Sequence, residues 1–180
     1  MNLPNKITVA RFFLVPVFAV MILLPYDWAK IAALAVFVLA CVSDFFDGYL
    51  ARKKNLVTDF GKLMDPLADK LLVCTALICF VKERDNFPAW CAILIMAREF
   101  IISGIRQIAA EKNHIIMANI WGKIKTVTQM ILCMLFIIDL NNDYFYLAQN
   151  AFVWIASFFT LLSLIVYIVD NVEIFEKASK

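Results

Sequence analysis

Residues 144–169 form an unbroken stretch of 26 residues without a formal charge. Such a run must either bury a helix on every side or lie in lipid, because about 20 apolar residues already match the hydrocarbon thickness of a bilayer. Composition decides between the two. Apolar residues make up 63% of the 180 and charged residues 18%, with 16 Phe and a mean hydropathy of +0.81. Soluble domains hold about 45–50% apolar residues, and one core of this size cannot hide the excess. The sequence therefore predicts an integral membrane protein and excludes a soluble enzyme, an extracellular disulfide module and a disordered segment. A net charge of +2 is too mild to call for a nucleic-acid partner. The five cysteines (Cys41, Cys74, Cys79, Cys91 and Cys133) include no C-x-x-C pair and read as small packing residues. The first residues lack both the cleavage site of a signal peptide and the Arg/Ser richness of a transit peptide, so no processing is expected.

The other uncharged runs, at 12–26, 31–43, 71–81, 86–97 and 126–138, are only 11 to 15 residues long. Each has to continue into a charged segment to span. Several such cases together predict helices whose last turns line a polar, water-accessible cavity. The expected fold is an all-α membrane protein forming a single domain over 1–180. Its six transmembrane helices are expected at 8–24, 29–52, 60–81, 88–111, 122–138 and 147–170, with a short interfacial helix over 2–6. With both termini on one side, 14 Lys and Arg fall on that side and three (Lys30, Lys82 and Arg84) on the other. The positive-inside rule then makes the termini and the polar cavity cytoplasmic. Trp28, Trp90 and Trp154 fall near outer helix ends and Trp121 near an inner one, as an interfacial belt requires. His114, the only histidine, falls in a loop and reads as a surface residue.

The chemistry concentrates between Ser43 and Lys70. On a helix, Asp44 and Asp47 share a face, and so do Asp65 and Asp69. The connection between them is short and polar, which makes the two helices antiparallel neighbours with acidic faces at one depth. Four carboxylates in an apolar protein repel one another and are costly to desolvate. Divalent metal is the natural compensation, and oxygen donors without Cys or His select a hard ion, Mg2+ ahead of Mn2+. Gly48 and Ala51 lie one turn beyond Asp44 and Asp47, and Gly61 one turn before Asp65. Small residues there leave room for a flat ligand against the backbone.

Asp44-x-x-Asp47-Gly48-x-x-Ala51-Arg52, eight residues, then Gly61-x-x-x-Asp65-x-x-x-Asp69 resembles the full signature of the CDP-alcohol phosphotransferase family, eight positions over 26 residues. The opening Asn2-Leu3-Pro4-Asn5-Lys6-Ile7-Thr8 with Arg11 and Pro16 resembles its bacterial phosphatidylglycerophosphate-forming branch. So do Ala97-Arg98-Glu99-Phe100 and Trp121-Gly122-Lys123-Ile124-Lys125-Thr126. The resemblance implies a reaction of CDP-diacylglycerol with sn-glycerol 3-phosphate that yields phosphatidylglycerol phosphate and CMP. It implies two Mg2+ or Mn2+ ions held by Asp44, Asp47 and Asp65 with Asp69 near, and Asp69 as the base for the attacking hydroxyl. Gly48 and Ala51 would face the cytidine and Arg52 would lie beside the nucleotide, with Gly61, Asn5 and Thr8 in the same pocket. The acceptor also carries a phosphate, for which Arg98, Arg106, Lys123 and Lys125 are the candidate clamp. Lipid tails would enter between helices, and a homodimer in the bacterial cytoplasmic membrane is implied; the apolar third to fifth helices are candidates for its interface.

Three other readings stand beside this one. The same family uses other acceptors, such as phosphatidylglycerol, inositol phosphate or serine, though an acceptor without phosphate has no need of the Arg98, Arg106 and Lys123 cations. A membrane prenyltransferase would carry a second Asp-rich copy, and this sequence has none. A divalent-cation transporter would hold its acids near the midplane, often in repeats, whereas these cluster toward one end.

Overall fold

Helix periodicity and the polar breaks between apolar runs lead to six helices and short connections. A computed structural model describes residues 3–53, 59–111, 119–140 and 142–171; at 3–6, 44–53, 59–63, 65, 66, 69, 108, 110 and 111 it describes the backbone alone. The described residues form six α-helices and no strand: α1 Leu3–Leu23, α2 Asp27–Lys53, α3 Asp59–Glu83, α4 Ala89–Glu111, α5 Ile120–Ile138 and α6 Asp143–Asp170.

Two boundaries differ instructively from the sequence expectation. Residues 3–6 are part of α1 and not a separate interfacial helix. Pro4 sits in the first turn, where the missing N–H would have had no intrahelical partner. α6 starts four residues before the expected 147. Asn142 caps it, its side chain accepting from the Tyr144 N–H at 3.0 Å, and Asp143 lies at the positive end of the helix dipole. A cap is a local hydrogen bond, and hydropathy does not register it.

The helices group into two compact units, Met1–Arg84 with Phe136–Asp139, and Asp85–Leu135 with Leu140–Lys180. In the first, α1 packs against both α2 and α3, and α2 against α3. Val15, Phe18 and Ile22 form the buried stripe of α1; Ala29, Ala33, Phe37 and Ala40 form that of α2. The alanines let the helix backbones approach closely, and Phe18 fills the space beside Phe37, ring centroids 5.8 Å apart. At the far end of α3, Arg84 donates from Nε to the Phe136 carbonyl at 3.1 Å and pairs through Nη1 with Asp139 at 3.0 Å. Asp139 has a φ of +44°, a left-handed backbone that ends the helix.

In the second unit α4 packs against α6. The buried face of α6 runs Gln149, Val153, Ala156, Ser157, Thr160, Ser163 and Tyr167, mostly small or hydroxylated residues of the kind that join helices where no water drives them together. Ser157 Oγ lies 3.4 Å from Cys91 Sγ of α4. Gln149 accepts from Asn86 Nδ2 at 2.7 Å and donates to the Leu135 carbonyl at 3.1 Å, satisfying one of the last four carbonyls of α5. Trp90 and Trp154 meet at 5.2 Å between centroids, so two of the expected belt tryptophans share one end of this unit.

Every helix also carries a large apolar residue on an exposed face, among them Phe13, Ile31, Ile78, Ile93, Val127 and Ile165. Among the described residues, α5 and α6 are long and apolar enough to cross a membrane, and Ile7–Leu23 is a shorter apolar segment.

Candidate active site

α2 and α3 each run unbroken through their acidic residues. Asp44 and Asp47 therefore do sit three apart on continuous helix, Asp65 and Asp69 four apart, and the helices that carry them pack together in the first unit. The side-chain positions of Asp44, Asp47, Gly48, Ala51, Arg52, Gly61, Asp65, Asp69 and Asn5 lie outside the described residues, and so does all of His114. Among the described residues no group of three or more His, Cys, Asp or Glu gathers as metal ligands.

On α1, Thr8 is fully buried, and so, one turn on, is Arg11 at 1% exposure. They share the face of Val15, Phe18 and Ile22, the face α1 buries. Both hold interactions within the protein. A guanidinium so buried needs compensation; the sequence places Arg11 in the opening motif but gives it no role in a site. The available signal was its three-residue spacing from Thr8.

The second unit holds a cation cluster built around one carboxylate. Glu99 of α4 accepts from Arg98 Nη1 at 3.3 Å and from Lys125 Nζ of α5. Arg98 is 8% exposed and Lys125 only 1%. The Nε of Arg98 is buried without a hydrogen-bond partner. A Cβ added at Gly122 would lie 3.6 Å from Arg98 Nη2, so the guanidinium sits against the first turn of α5. The positive end of that helix dipole thus faces the same place. Asn119, just before α5, accepts from the Trp121 N–H at 3.4 Å and donates to Asp170 of α6 at 3.0 Å, which ties the start of α5 to the end of α6. Arg106, two turns along α4, is exposed and lies over the ring of Tyr167, 5.6 Å from its centroid. Lys123 is exposed.

Arg98, Lys125 and Arg106 are thus brought to one region with a single carboxylate between two of them. Lys123 is on the same first turns of α5 but enters no described contact. Glu99 and Tyr167 are the residues sequence reasoning did not place in a site. Glu99 reads locally as the ion-pair partner of its neighbour Arg98; its bond to Lys125, 26 residues away, is tertiary.

The profile of the CDP-alcohol phosphatidyltransferase family matches residues 1–162, which include both acid pairs and the Arg98–Glu99–Lys125 cluster. The chain belongs to this family. Among curated members it is similar to the CDP-diacylglycerol–glycerol-3-phosphate 3-phosphatidyltransferase of Bacillus subtilis (strain 168), 44% identical over 90% of this chain and 91% of the relative. Proteins of the same name from Rickettsia typhi and Pseudomonas fluorescens are 39% and 38% identical, over 90% and 93% of this chain and 92% and 89% of theirs. The CDP-alcohol phosphatidyltransferase match spans residues of both compact units. Tyr167 lies beyond it.

Proposed function

We propose that this chain transfers the phosphatidyl group of CDP-diacylglycerol to sn-glycerol 3-phosphate, giving phosphatidylglycerol phosphate and CMP. The observation that carries this reading is the buried cluster on α4 and α5. Two cations share one carboxylate, a third lies nearby, and a buried guanidinium nitrogen remains unspent. An excess of buried positive charge calls for an anion from outside, and a phosphate monoester supplies one with oxygens for several donors. Arg98, Arg106, Lys123 and Lys125 take that role.

The acids of α2 and α3 serve the other substrate. Asp44, Asp47, Asp65 and Asp69 are all hard oxygen donors on continuous helix, a set that suits Mg2+ or Mn2+. When bound, the divalent ions offset the charge of the diphosphate as CMP leaves. Asp69 accepts the proton of the glycerol hydroxyl; that oxygen bonds to the phosphatidyl phosphorus, and the bond from phosphorus to the CMP oxygen breaks. Positioning the hydroxyl at a short distance makes a weak carboxylate base sufficient. Gly48 and Ala51, with Gly61, leave room for the cytidine, and Arg52, Asn5 and Thr8 line the same pocket. Arg11, buried on the helix that packs against both acid-bearing helices, offsets part of their charge.

In this reading all six helices cross the bacterial cytoplasmic membrane as one domain and as a homodimer, with termini and active site cytoplasmic. The outward apolar residues on every helix and the bias of 14 cations against three support it. The test is CMP release by the purified protein in detergent with CDP-diacylglycerol and Mg2+. Release should depend on added sn-glycerol 3-phosphate. Equal release with phosphatidylglycerol, inositol phosphate or serine in its place would assign a different acceptor, and no release with any of them would end the proposal.

A further inference from the structure

The proposed orientation leaves three cations on the side of the membrane away from the termini: Lys30, Lys82 and Arg84. Two of them meet on one carboxylate of the first unit. Arg84 Nη1 lies 3.0 Å and Lys30 Nζ 3.9 Å from the same Oδ2 of Asp139. Lys30 also pairs with Asp27 at 3.6 Å, but that carboxylate is 99% exposed and offsets little in water. Two cations therefore share one partly buried acid. Arg84 keeps only 11% of its side-chain surface. Its Nε donates to the Phe136 carbonyl, while its Nη2 is buried with no hydrogen-bond partner. A buried donor of a charged group left without a bond is costly, and an apolar side chain would have filled the space without that cost. Lys30 and Asp139 are part-exposed, so the cluster has an open side. The surroundings of that side are apolar. Ile31 beside Lys30, Val81 one turn before Arg84 and Ile138 beside Asp139 are all exposed. Tyr26 and Trp28, flanking the start of α2, are exposed as well and stack with ring centroids 6.0 Å apart. Amphipathic rings of this kind settle at the depth of lipid headgroups.

We propose that Lys30 and Arg84 hold the phosphate of an anionic phospholipid on the membrane face opposite the proposed active site. Lys30 Nζ and the spare Nη2 of Arg84 donate to its phosphate oxygens, and its acyl chains lie along Ile31, Val81 and Ile138. The site is separate from both substrates of the proposed reaction, and only the face it occupies rests on the proposed orientation. Both cations reach one carboxylate oxygen, which brings their heads close enough for a single phosphate to bridge them. A free phosphate ion would be held by charge alone, against water and the carboxylate. A lipid adds the burial of apolar surface already exposed on α2, α3 and α5. Asp139 is then the competitor of the headgroup: it neutralises the two cations when no lipid is bound and repels the phosphate that approaches them.

The test is a titration of the purified full-length protein in detergent, with EDTA present so that no turnover intervenes. Phosphatidylglycerol should raise the melting temperature, and the quantity read is the lipid concentration that gives half of the rise. Wild type is compared with Lys30→Gln and Asp139→Asn. Lys30→Gln removes one cation near the membrane surface and should raise that concentration about fivefold. Asp139→Asn keeps the left-handed backbone, which Asn adopts readily, and removes the competing charge. It should lower the concentration about fivefold, on the same scale. The opposite signs separate a lipid site from a purely structural ion pair, which predicts the same lipid dependence in all three proteins. Diacylglycerol has the tails without the phosphate, inorganic phosphate the reverse, and neither should give a comparable rise. The site is overturned by the absence of a rise with phosphatidylglycerol, by titrations of the three proteins that overlay, or by an equal rise with diacylglycerol. An equal rise with inorganic phosphate overturns the lipid as its occupant. No step of the reaction is measured, so a failure of CMP release in the assay above would leave this outcome standing.

Discussion

Asp69 stands four residues after Asp65 on unbroken α3, and the proposed mechanism gives the two acids different tasks. Asp65 binds; Asp69 both binds and takes a proton. Replacing Asp69 by Asn keeps the shape and one oxygen donor but removes the base. Turnover in Asp69→Asn should fall by about a hundredfold or more, the lower range of general-base contributions, while binding of CDP-diacylglycerol, measured by equilibrium dialysis, changes little. Turnover near the wild-type rate would take Asp69 out of the mechanism. Residues of this kind are legible in the sequence because a helix turns i and i+4 to one side whatever surrounds it. Tyr167 and Glu99 are not. What matters about Tyr167 is the ring it sets against Arg106 of α4, and no spacing within α6 announces that.

At the scale of helices, Glu99 does for α4 and α5 what apolar packing does for α4 and α6. It bonds Arg98 of its own helix and Lys125 of the next, both almost wholly buried. Removing one partner from such a set leaves uncompensated charge inside the protein, at a cost of about 3–5 kcal/mol. Glu99→Ala should therefore lower the melting temperature in detergent markedly, and Glu99→Gln, which keeps an acceptor but not the charge, by less. Melting curves for both variants that overlay the wild type would show that the carboxylate does not join the two helices. Helix positions were readable from hydropathy and polar breaks, yet the starts of α1 and α6 were misplaced. Pro4 and Asn142 set those starts by what their backbone and side chain can or cannot hydrogen-bond, a property that averaged apolarity does not carry.

For the molecule as a whole, the proposed orientation rests on charge. Placing both termini in the cytoplasm should make reporter fusions at residue 1 and residue 180 score alike, on the side where cytoplasmic reporters are active. A fusion in the connection between α3 and α4, near Lys82 and Arg84, should score on the opposite side. Matching signals from all three positions would contradict six crossings. The pattern of 14 cations against three is a whole-chain property that needs no coordinates.

Composition, the spacing of the acids and the placement of Lys and Arg are properties of the linear chain. They were enough for an all-helical apolar protein with two acid pairs on neighbouring helices. The partners of those charges were decided only by folding: Glu99 shared between Arg98 and Lys125, Arg106 resting on Tyr167, Arg84 closing on Asp139. Helical periodicity is local and survives in isolation, whereas an ion pair between residues far apart in sequence exists only after the chain has reversed direction. Which donor is then left unspent depends on every neighbour that the reversal brings in.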